Sequence, residues 1–433
     1  MCYAIPGKIE KIENNLVTVD YFGEKRNAYN ELENLFLGDY IYAQGGYVIN
    51  KISNLEAESI LATWKEEFFE LQKVDLRLSR IDLEKKGIDK KVSEILDRIL
   101  ENKMVKPDEL GYLLAIKNDS DKQLLFKTAN FSRSKNFGNS CCVHGIIEIS
   151  NHCKRNCYYC GISNHNRKII RYRMDKEEIL EAVREAVEVY GFKALVLQSA
   201  EDLAYKIEEL ADIIKEIKKR YPVLIFISFG EIGIEGLRKL YEAGARGLLL
   251  RFETSNQKIY EKLHPGYCLD TRLEHLKKAF EIGYLLITGS LIGLPGQTRE
   301  DLVNDILLAK ELNAEMFSFG PFLPSPNTPL ENLTAPLPED IFKILSIARL
   351  VDQKKAKILI TTAFETLDIS ARKKGLLSGA NSVMLNVTPL KYRQLYSIYP
   401  KRAHENEEID KQINETIYLL RDLGRSPTDL SMG

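Results

Sequence analysis
From residue 145 to residue 386 the chain repeats one unit, a short apolar run followed by a longer stretch with apolar residues at helical spacing. Runs of strand type cover 145–150, 194–199, 224–229, 247–252, 286–292, 315–320, 357–361 and 382–386. Helical stretches lie among them at 176–190, 203–220, 272–282, 300–312 and 340–352. The first helix shows both ends, an N-terminal pair Asp175-x-x-Glu178 and a stop at Gly191. Eight βα units over about 250 residues predict a closed (β/α)8 barrel of the TIM type. A doubly wound open sheet competes with it, and the regular spacing favours closure. Helices at 92–101, 108–117 and 121–130 lead in, so the barrel unit is expected over 93–400. Residues 401–433 read as a polar tail with one short helix, 410–423.

Directly after the first apolar run comes Cys153-Lys154-Arg155-Asn156-Cys157-Tyr158-Tyr159-Cys160. In a barrel of this kind that loop falls at the C-terminal ends of the strands, where active sites lie. Thiolates are preferred ligands of iron–sulfur clusters, which usually take four. Three thiolates from one loop hold three irons of a cubane and leave the fourth open for chemistry. The competing reading is zinc, which needs a closed tetrahedral set when structural. His152 and His165 are nearby, but no second C-x2-C knuckle exists in the chain. The C-x3-C-x2-C spacing, with the aromatic Tyr159 before the last cysteine, resembles the cluster motif of radical S-adenosylmethionine (SAM) enzymes. That resemblance implies SAM chelated at the open iron and its one-electron cleavage to methionine and a 5′-deoxyadenosyl radical.

Composition removes several other classes. A length of 433 residues, 44% hydrophobic and 28% charged, fits a globular protein of two or three domains, or one large barrel with an addition. A formal net charge of −1 gives no electrostatic case for nucleic acid or an anionic membrane. The uncharged stretch 284–298 is too short for a membrane span, and no signal peptide is expected at the N-terminus. Seven cysteines, three of them clustered, argue for a reducing cytoplasm and metal binding rather than a disulfide framework.

Residues 1–52 read as five short strands, 8–12, 16–21, 24–28, 39–44 and 47–52, joined at Asn14-Asn15, Phe22-Gly23 and Gly45-Gly46. They predict a small all-β barrel of the OB or SH3 type. Ser53-x-x-Glu56 opens a helix whose Ala57, Ile60, Leu61, Trp64, Phe68 and Leu71 recur at helical spacing and should pack on that barrel. The small domain is therefore expected over 1–71. A charge-rich connector, helical or flexible, follows over 72–92.

Polar residues at the strand ends mark the candidate site. They are Gln198, Ser199 and Glu201; Ser228 and Glu231; Arg251 and Glu253; Ser290; Thr361 and Thr362; and Met384 and Asn386. Arg251 and Glu253, two residues apart, are expected to point to one side of a strand. SAM carries a carboxylate, an amine and a sulfonium, so both signs of charge suit it. About half of these residues are expected to pair with one another or cap helices instead. Glycines in Gly289-Ser290-Leu291-Ile292-Gly293-Leu294-Pro295-Gly296-Gln297 let backbone approach a flat ligand, although a plain strand-to-helix turn explains the Pro-Gly pair equally well. Cys141, Cys142 and Cys268 are expected to fill apolar gaps. Removal of Met1 would leave Cys2 offering a thiol and an amine to a metal.

Residues 93–433 resemble the radical SAM maturase family of FeFe-hydrogenase, HydE, a relative of biotin synthase. The likeness rests on Gly145 to Cys153, Cys157-Tyr-Tyr-Cys160-Gly161, Arg171-Tyr-Arg-Met174, Leu197-Gln-Ser-Ala-Glu-Asp202, Arg251-Phe-Glu-Thr254, Gly289 to Thr298, Gly320-Pro-Phe-Leu-Pro324, Pro326-Asn-Thr-Pro-Leu330 and Tyr392-Arg-Gln-Leu-Tyr396. It implies one 4Fe-4S cluster on Cys153, Cys157 and Cys160, because no second cysteine trio stands in 399–408. It implies SAM held by Tyr159, Gln198, Ser199, Glu201, Ser228, Glu231, Arg251, Glu253 and Ser290, with Thr361, Thr362, Met384, Tyr392 and Tyr396 lining a deeper substrate cavity. Leu291 stands where relatives often carry methionine. The implied reaction is attack of the radical on the sulfur of a cysteine-bound iron carbonyl–cyanide complex, with a reducing electron donor. Implied partners are other hydrogenase maturation proteins or the apo-hydrogenase.

Residues 1–71 resemble the hydrogenase chaperone family HypC/HupF through Met1-Cys2-Tyr-Ala-Ile-Pro-Gly-Lys8 and Leu37-Gly-Asp-Tyr-Ile-Tyr-Ala-Gln-Gly-Gly-Tyr47. In that family the N-terminal cysteine holds an iron with cyanide and carbon monoxide ligands, so Cys2 is the implied metal ligand here. Gln44 stands where a histidine is expected. The competing functions are a biotin synthase-like or methylornithine synthase-like enzyme of another pathway, and a non-catalytic assembly scaffold.

Overall fold
The computed structural model describes residues 3–83 and 87–430; Cys2 and residues 84–86 of the expected connector lie outside the described residues. The first strands are β1 (Gly7–Glu13), β2 (Leu16–Tyr21), β3 (Glu24–Tyr29), β4 (Tyr40–Gln44) and β5 (Tyr47–Ile52). They close into a barrel in the order β1-β2-β3-β5-β4. Phe22 and Gly23 at φ 55° and 95°, and Gly45 and Gly46 at φ 54° and 83°, make the left-handed turns that match strand twist. Phe22 stands there despite its Cβ, and its ring packs on Phe68 at 5.2 Å. Alternate side chains Val17, Val19 and Tyr21 fill the interior with Ile9, Ile41 and Ala43.

Helix α1 (Asn54–Leu78) starts where Ser53 Oγ accepts a hydrogen bond from the Glu56 backbone at 3.2 Å. Its Leu61, Trp64 and Phe68 lie on the small barrel. The helix continues through residue 71 to Leu78, so the stretch after the small barrel begins as rigid helix. Then come α2 (Lys90–Leu100), α3 (Pro107–Leu114) and α4 (Asp119–Phe137).

The large barrel is built from β6 (Ser140–Ser150), β7 (Ala194–Ser199), β8 (Leu224–Ser228), β9 (Gly247–Leu249), β10 (Leu285–Thr288) with its offset continuation β11 (Leu291–Ile292), β12 (Met316–Phe317) with its continuation β13 (Gly320–Pro321), β14 (Lys357–Ile360) and β15 (Ser382–Asn386). The eight main strands are parallel, and β15 pairs back on β6, with Met384 opposite His144, so the sheet is closed. Two expected single strands, 286–292 and 315–320, are each broken in two. At the break a Cβ on Gly289 would lie 2.3 Å from the Ser318 carbonyl oxygen, so the two backbones touch where a side chain would separate them. The expected strand 247–252 also stops early, at Leu249, and Glu253 turns at φ 68°.

The tail departs from its polar reading. After helix Ile409–Asp422, strand β16 (Ser426–Pro427) lies beside β6, and Arg425, Thr428, Asp429 and Leu430 are buried. Backbone hydrogen bonds carry this contact, with Thr428 N to Cys141 O at 2.9 Å and Lys193 N to Asp429 O at 2.8 Å. Such pairing has no side-chain period, which is why hydropathy did not reveal it. At the N-terminal end of the large barrel, the β4–β5 hairpin acts as a plug. Ile49, Tyr42 and Tyr47 pack with Leu224, Phe226 and Leu285 of the barrel interior. Glu31 pairs with Arg246 at 2.9 Å, and Lys193 sits 4.1 Å over the Tyr42 ring. Among the described residues no helix is long and apolar enough to cross a membrane.

Candidate active site
A cavity of about 320 Å³ opens at the C-terminal ends of the large barrel's strands, and Cys153, Cys157 and Cys160 lie in its wall. The cysteine loop is held from several sides. Arg171 donates to the Asn151, Ile162 and Ser163 carbonyl oxygens at 2.5–2.8 Å. Gly161 follows the last cysteine because a Cβ there would lie 2.2 Å from the Ser397 carbonyl oxygen. Tyr159 and His264 form a 2.7 Å hydrogen bond at Nε2, while His264 Nδ1 lies 2.7 Å from the Tyr260 carbonyl oxygen. The carbonyl accepts only, so Nδ1 carries the proton and Nε2 accepts from Tyr159. Burial pushes the His264 pKa down to about 3, so the ring is neutral.

The thiols fit an iron–sulfur group. Burial, with each other's charge added, pushes Cys157 well above the ordinary thiol range and Cys160 up to about 12. Sulfurs that resist ionisation alone are held as thiolates by a bound cation. Among the described residues the three sulfurs do not join His152 or His165 in a group whose ligand atoms all lie within 4.8 Å. A single zinc ion with donors 2.0–2.3 Å away needs such a group; a multi-iron cluster does not.

Four charges surround the loop, three buried and Glu231 half-buried. Arg155, 3% exposed, pairs with Glu201 at 2.5 Å and Glu231 at 2.7 Å, and its guanidinium lies 3.6 Å from the Tyr267 ring centre. Arg272 pairs with Glu231 at 2.6 Å and donates to the Arg251 carbonyl oxygen at 2.7 Å. Two arginines balance the two carboxylates, which is what permits burial, while the part-exposed Lys154 lies 3.4 Å from Glu201 at the edge. Glu201 lines the cavity, whereas Glu231 stands behind it between the two arginines.

Arg251 and Glu253 both line the cavity and approach to 3.3 Å. Strand alternation is not what brings them together, since β9 has already ended. Glu253 lies in the left-handed region and its backbone bridges Ser290 in parallel register. A non-glycine residue held there stores about 1–3 kcal/mol, a cost that collects at ligand clamps. Ser290 itself is fully buried and outside the cavity wall.

Gln198, Ser199, Ser228, Thr361, Thr362, Met384, Asn386 and Tyr396 line the cavity, as does Leu291. Gln198 donates to Tyr396 Oη at 3.0 Å. Ser199 Oγ instead donates to the Ala200 carbonyl oxygen at 2.6 Å, and Thr361 caps helix Thr362–Leu367. Tyr392 is not in the wall. Its ring stacks on Tyr172 at 4.7 Å and its hydroxyl donates to Glu178 at 2.5 Å. Cys141 and Cys142 are buried, but Cys268 is not a gap filler. It is half-buried at the start of helix Leu269–Ile282, 3.1 Å from Thr271 Oγ1. Gln44 is fully buried, and neither side-chain amide atom has a hydrogen bond among the described residues.

Several wall residues fall outside the polar strand ends that the sequence marks. Arg155 stands inside the cysteine motif and was legible there. Glu148, in β6, takes two hydrogen bonds from Arg402, at 2.5 and 3.2 Å, and one from Asn386 at 2.9 Å. Arg402 belongs to the supposed tail, and Arg272 to a helix, so neither carried a local signal.

Residues 147–309 match the Radical SAM superfamily, and residues 1–64 match the HupF/HypC family. The [FeFe] hydrogenase maturase subunit HydE of Thermotoga maritima is 40% identical over 334 residues, covering 77% of this chain and 95% of that protein. The 3-methylornithine synthase of Methanosarcina acetivorans is 30% identical over 346 residues, covering 78% of this chain and 96% of that protein. Among solved structures, methylornithine synthase (PylB) superposes with a TM-score of 0.67 at 26% identity, covering 77% of this chain and 97% of that one.

Proposed function
Because the chain belongs to the HydE family of hydrogenase maturases within the radical SAM superfamily, we propose that it acts on a cysteine-bound iron carbonyl–cyanide complex and carries its own delivery domain for that iron. The observation that carries the reading is the cysteine loop and the Arg251–Glu253 pair facing one cavity. Cys153, Cys157 and Cys160 would hold one 4Fe-4S cluster. Such a cluster would supply the one-electron reducing chemistry for cleavage of bound SAM. Around it, Arg251 and Glu253 offer both signs of charge to the amino acid end of SAM, and Gln198, Ser199, Glu201 and Ser228 offer hydrogen bonds. Tyr159, fixed by His264, closes the wall beside the last cysteine. Glu231 acts from behind by holding Arg155 and Arg272 in place. Met384, Thr361, Thr362 and Tyr396 form the deeper part, where the substrate would lie. The HupF/HypC likeness of residues 1–64 supports the delivery role, for which Cys2 is the ligand proposed.

A second reading, a carbon-skeleton rearrangement, is favoured by the likeness to 3-methylornithine synthase. The higher identity to the maturase and the added small domain support the first. Anaerobic reconstitution followed by dithionite and SAM should yield 5′-deoxyadenosine, and Cys157→Ala should abolish it. Absence of the product in the unaltered chain would leave only a scaffold. Consumption of a cysteine-ligated iron dicarbonyl cyanide complex separates the two enzyme readings, and an untouched complex would overturn the maturase one.

A further inference from the structure
Below the cavity the large barrel holds a group of side chains of metal-ligating type. Cys142 and His144 stand two residues apart on β6 and face its interior, beneath Ile146 and Glu148 of the cavity wall. At the rise of a strand, His144 lies about 13 Å below Glu148. Asp429 arrives from the segment after β16. One ligand atom of each residue lies within 4.8 Å of the other two, and all three residues are buried. His144 Nε2 and Asp429 Oδ2 are 3.3 Å apart. Thr428 Oγ1 lies 2.5 Å from Asp429 Oδ2 and 3.4 Å from Cys142 Sγ. A chamber of about 10 Å³ opens on the same three residues, walled also by Gly45, Phe226 and Met316.

We infer that Cys142, His144 and Asp429 bind one divalent ion of the borderline class, Zn2+ or Fe2+, with a water-sized fourth ligand in the chamber. A sulfur, an imidazole nitrogen and a carboxylate oxygen are the donors such ions select. Donors 2.0–2.3 Å from a tetrahedral centre stand about 3.3–3.8 Å apart, which small side-chain rotations reach from the present spacing. A chamber of this size takes about one water. Charge points the same way. Asp429 is 1% exposed and its ion contact is an imidazole, while the neighbouring Lys357 is engaged by Glu315. A 2+ ion with one thiolate and one carboxylate makes the buried group neutral. On binding, the Cys142 S–H bond breaks, an S–metal bond forms, the proton leaves to solvent and no electron moves. The ion joins β6 to the C-terminal segment, between the active cavity above and the β4–β5 hairpin below.

The test uses the full chain with its cluster reconstituted, dialysed anaerobically against Zn2+ alone. One zinc per chain beyond the cluster is expected, and zinc-edge X-ray absorption should show one sulfur at about 2.3 Å with nitrogen and oxygen at about 2.0–2.1 Å. Outer-shell losses cost 10–100-fold in affinity, so removal of a ligand in Cys142→Ser or Asp429→Asn should weaken zinc by more than about 100-fold. Cluster iron per chain and circular dichroism check folding, and His144→Gln replaces any variant that does not fold. Cys2→Ser should retain the zinc. No zinc in the unaltered chain, zinc retained by Cys142→Ser, zinc lost in Cys2→Ser, or a spectrum without sulfur would each overturn the site.

Discussion

Arg155 lies two residues after Cys153 and holds two carboxylates from positions 46 and 76 residues further on, Glu201 and Glu231. Arg155→Met leaves Glu201 to Lys154 at 3.4 Å and Arg272 at 4.0 Å, and Glu231 to Arg272 alone, so the cluster loses its closest cation. Removing one partner of such a group costs about 3–5 kcal/mol. Urea unfolding should show that loss, and a change under about 1 kcal/mol would mean the cluster relaxes or takes in water. His264 gives a prediction with a pH window. Burial lowers its pKa from 6.5 to about 3 in the folded chain. Below pH 6.5 the unfolded chain takes a proton that the folded chain refuses, so stability is full above about 6.5 and falls as pH drops towards 3. Between pH 7 and pH 5 the loss is about 2 kcal/mol. In the metal-free chain the stability advantage over His264→Gln should shrink by that amount, and a pH-independent difference would contradict the assignment.

The broken strands show how one glycine positions a site at the scale of an element. The Glu253 backbone donates to the Gly289 carbonyl oxygen at 3.1 Å and accepts from Leu291 at 2.9 Å. Gly289 in turn lies against the Ser318 backbone, which has no flexible end to swing away. Gly289→Ala must therefore spread β10 from β12 and carry Glu253 with it. Overpacking of this kind costs about 1–3 kcal/mol. We expect a lower melting temperature together with weaker SAM binding by calorimetry. A loss of stability with unchanged SAM affinity would show that the break in the strand does not act on the cofactor through Glu253.

At the scale of the molecule, Asp75 of α1 joins three distant parts. Arg133 of α4 grips it with two 2.8 Å hydrogen bonds, Ser134 donates at 2.9 Å, and Arg425 of the C-terminal segment lies at 3.1 Å. The small barrel is thus tied to the large one through α1 as well as through the hairpin that plugs the barrel's mouth. The two barrels should unfold as one unit. Trp64, the one tryptophan of the sequence, sits on α1 against the small barrel and reports that end, while far-ultraviolet circular dichroism reports mainly the large barrel. Coincident urea transitions by the two probes are expected. Two separate transitions would show that the contacts between the barrels are too weak to couple them.

Local pattern was enough for the elements. Turns at Phe22-Gly23 and Gly45-Gly46, the cap at Asp175 and the eight apolar runs were legible because each depends on neighbours in sequence, and three cysteines in one loop marked the end of the large barrel where the cavity opens. The same locality hid the rest. Arg272, Arg402 and Asp429 are distant along the chain and sit in segments that read as ordinary helix or polar tail; only closure of the sheet sets them beside Glu231, Glu148 and His144. Periodicity records which face of an element is apolar, so the chain by itself determined two barrels and one cysteine loop. Which charges meet inside them was decided by the fold, because a buried ion is tolerable only where a partner from elsewhere arrives to balance it.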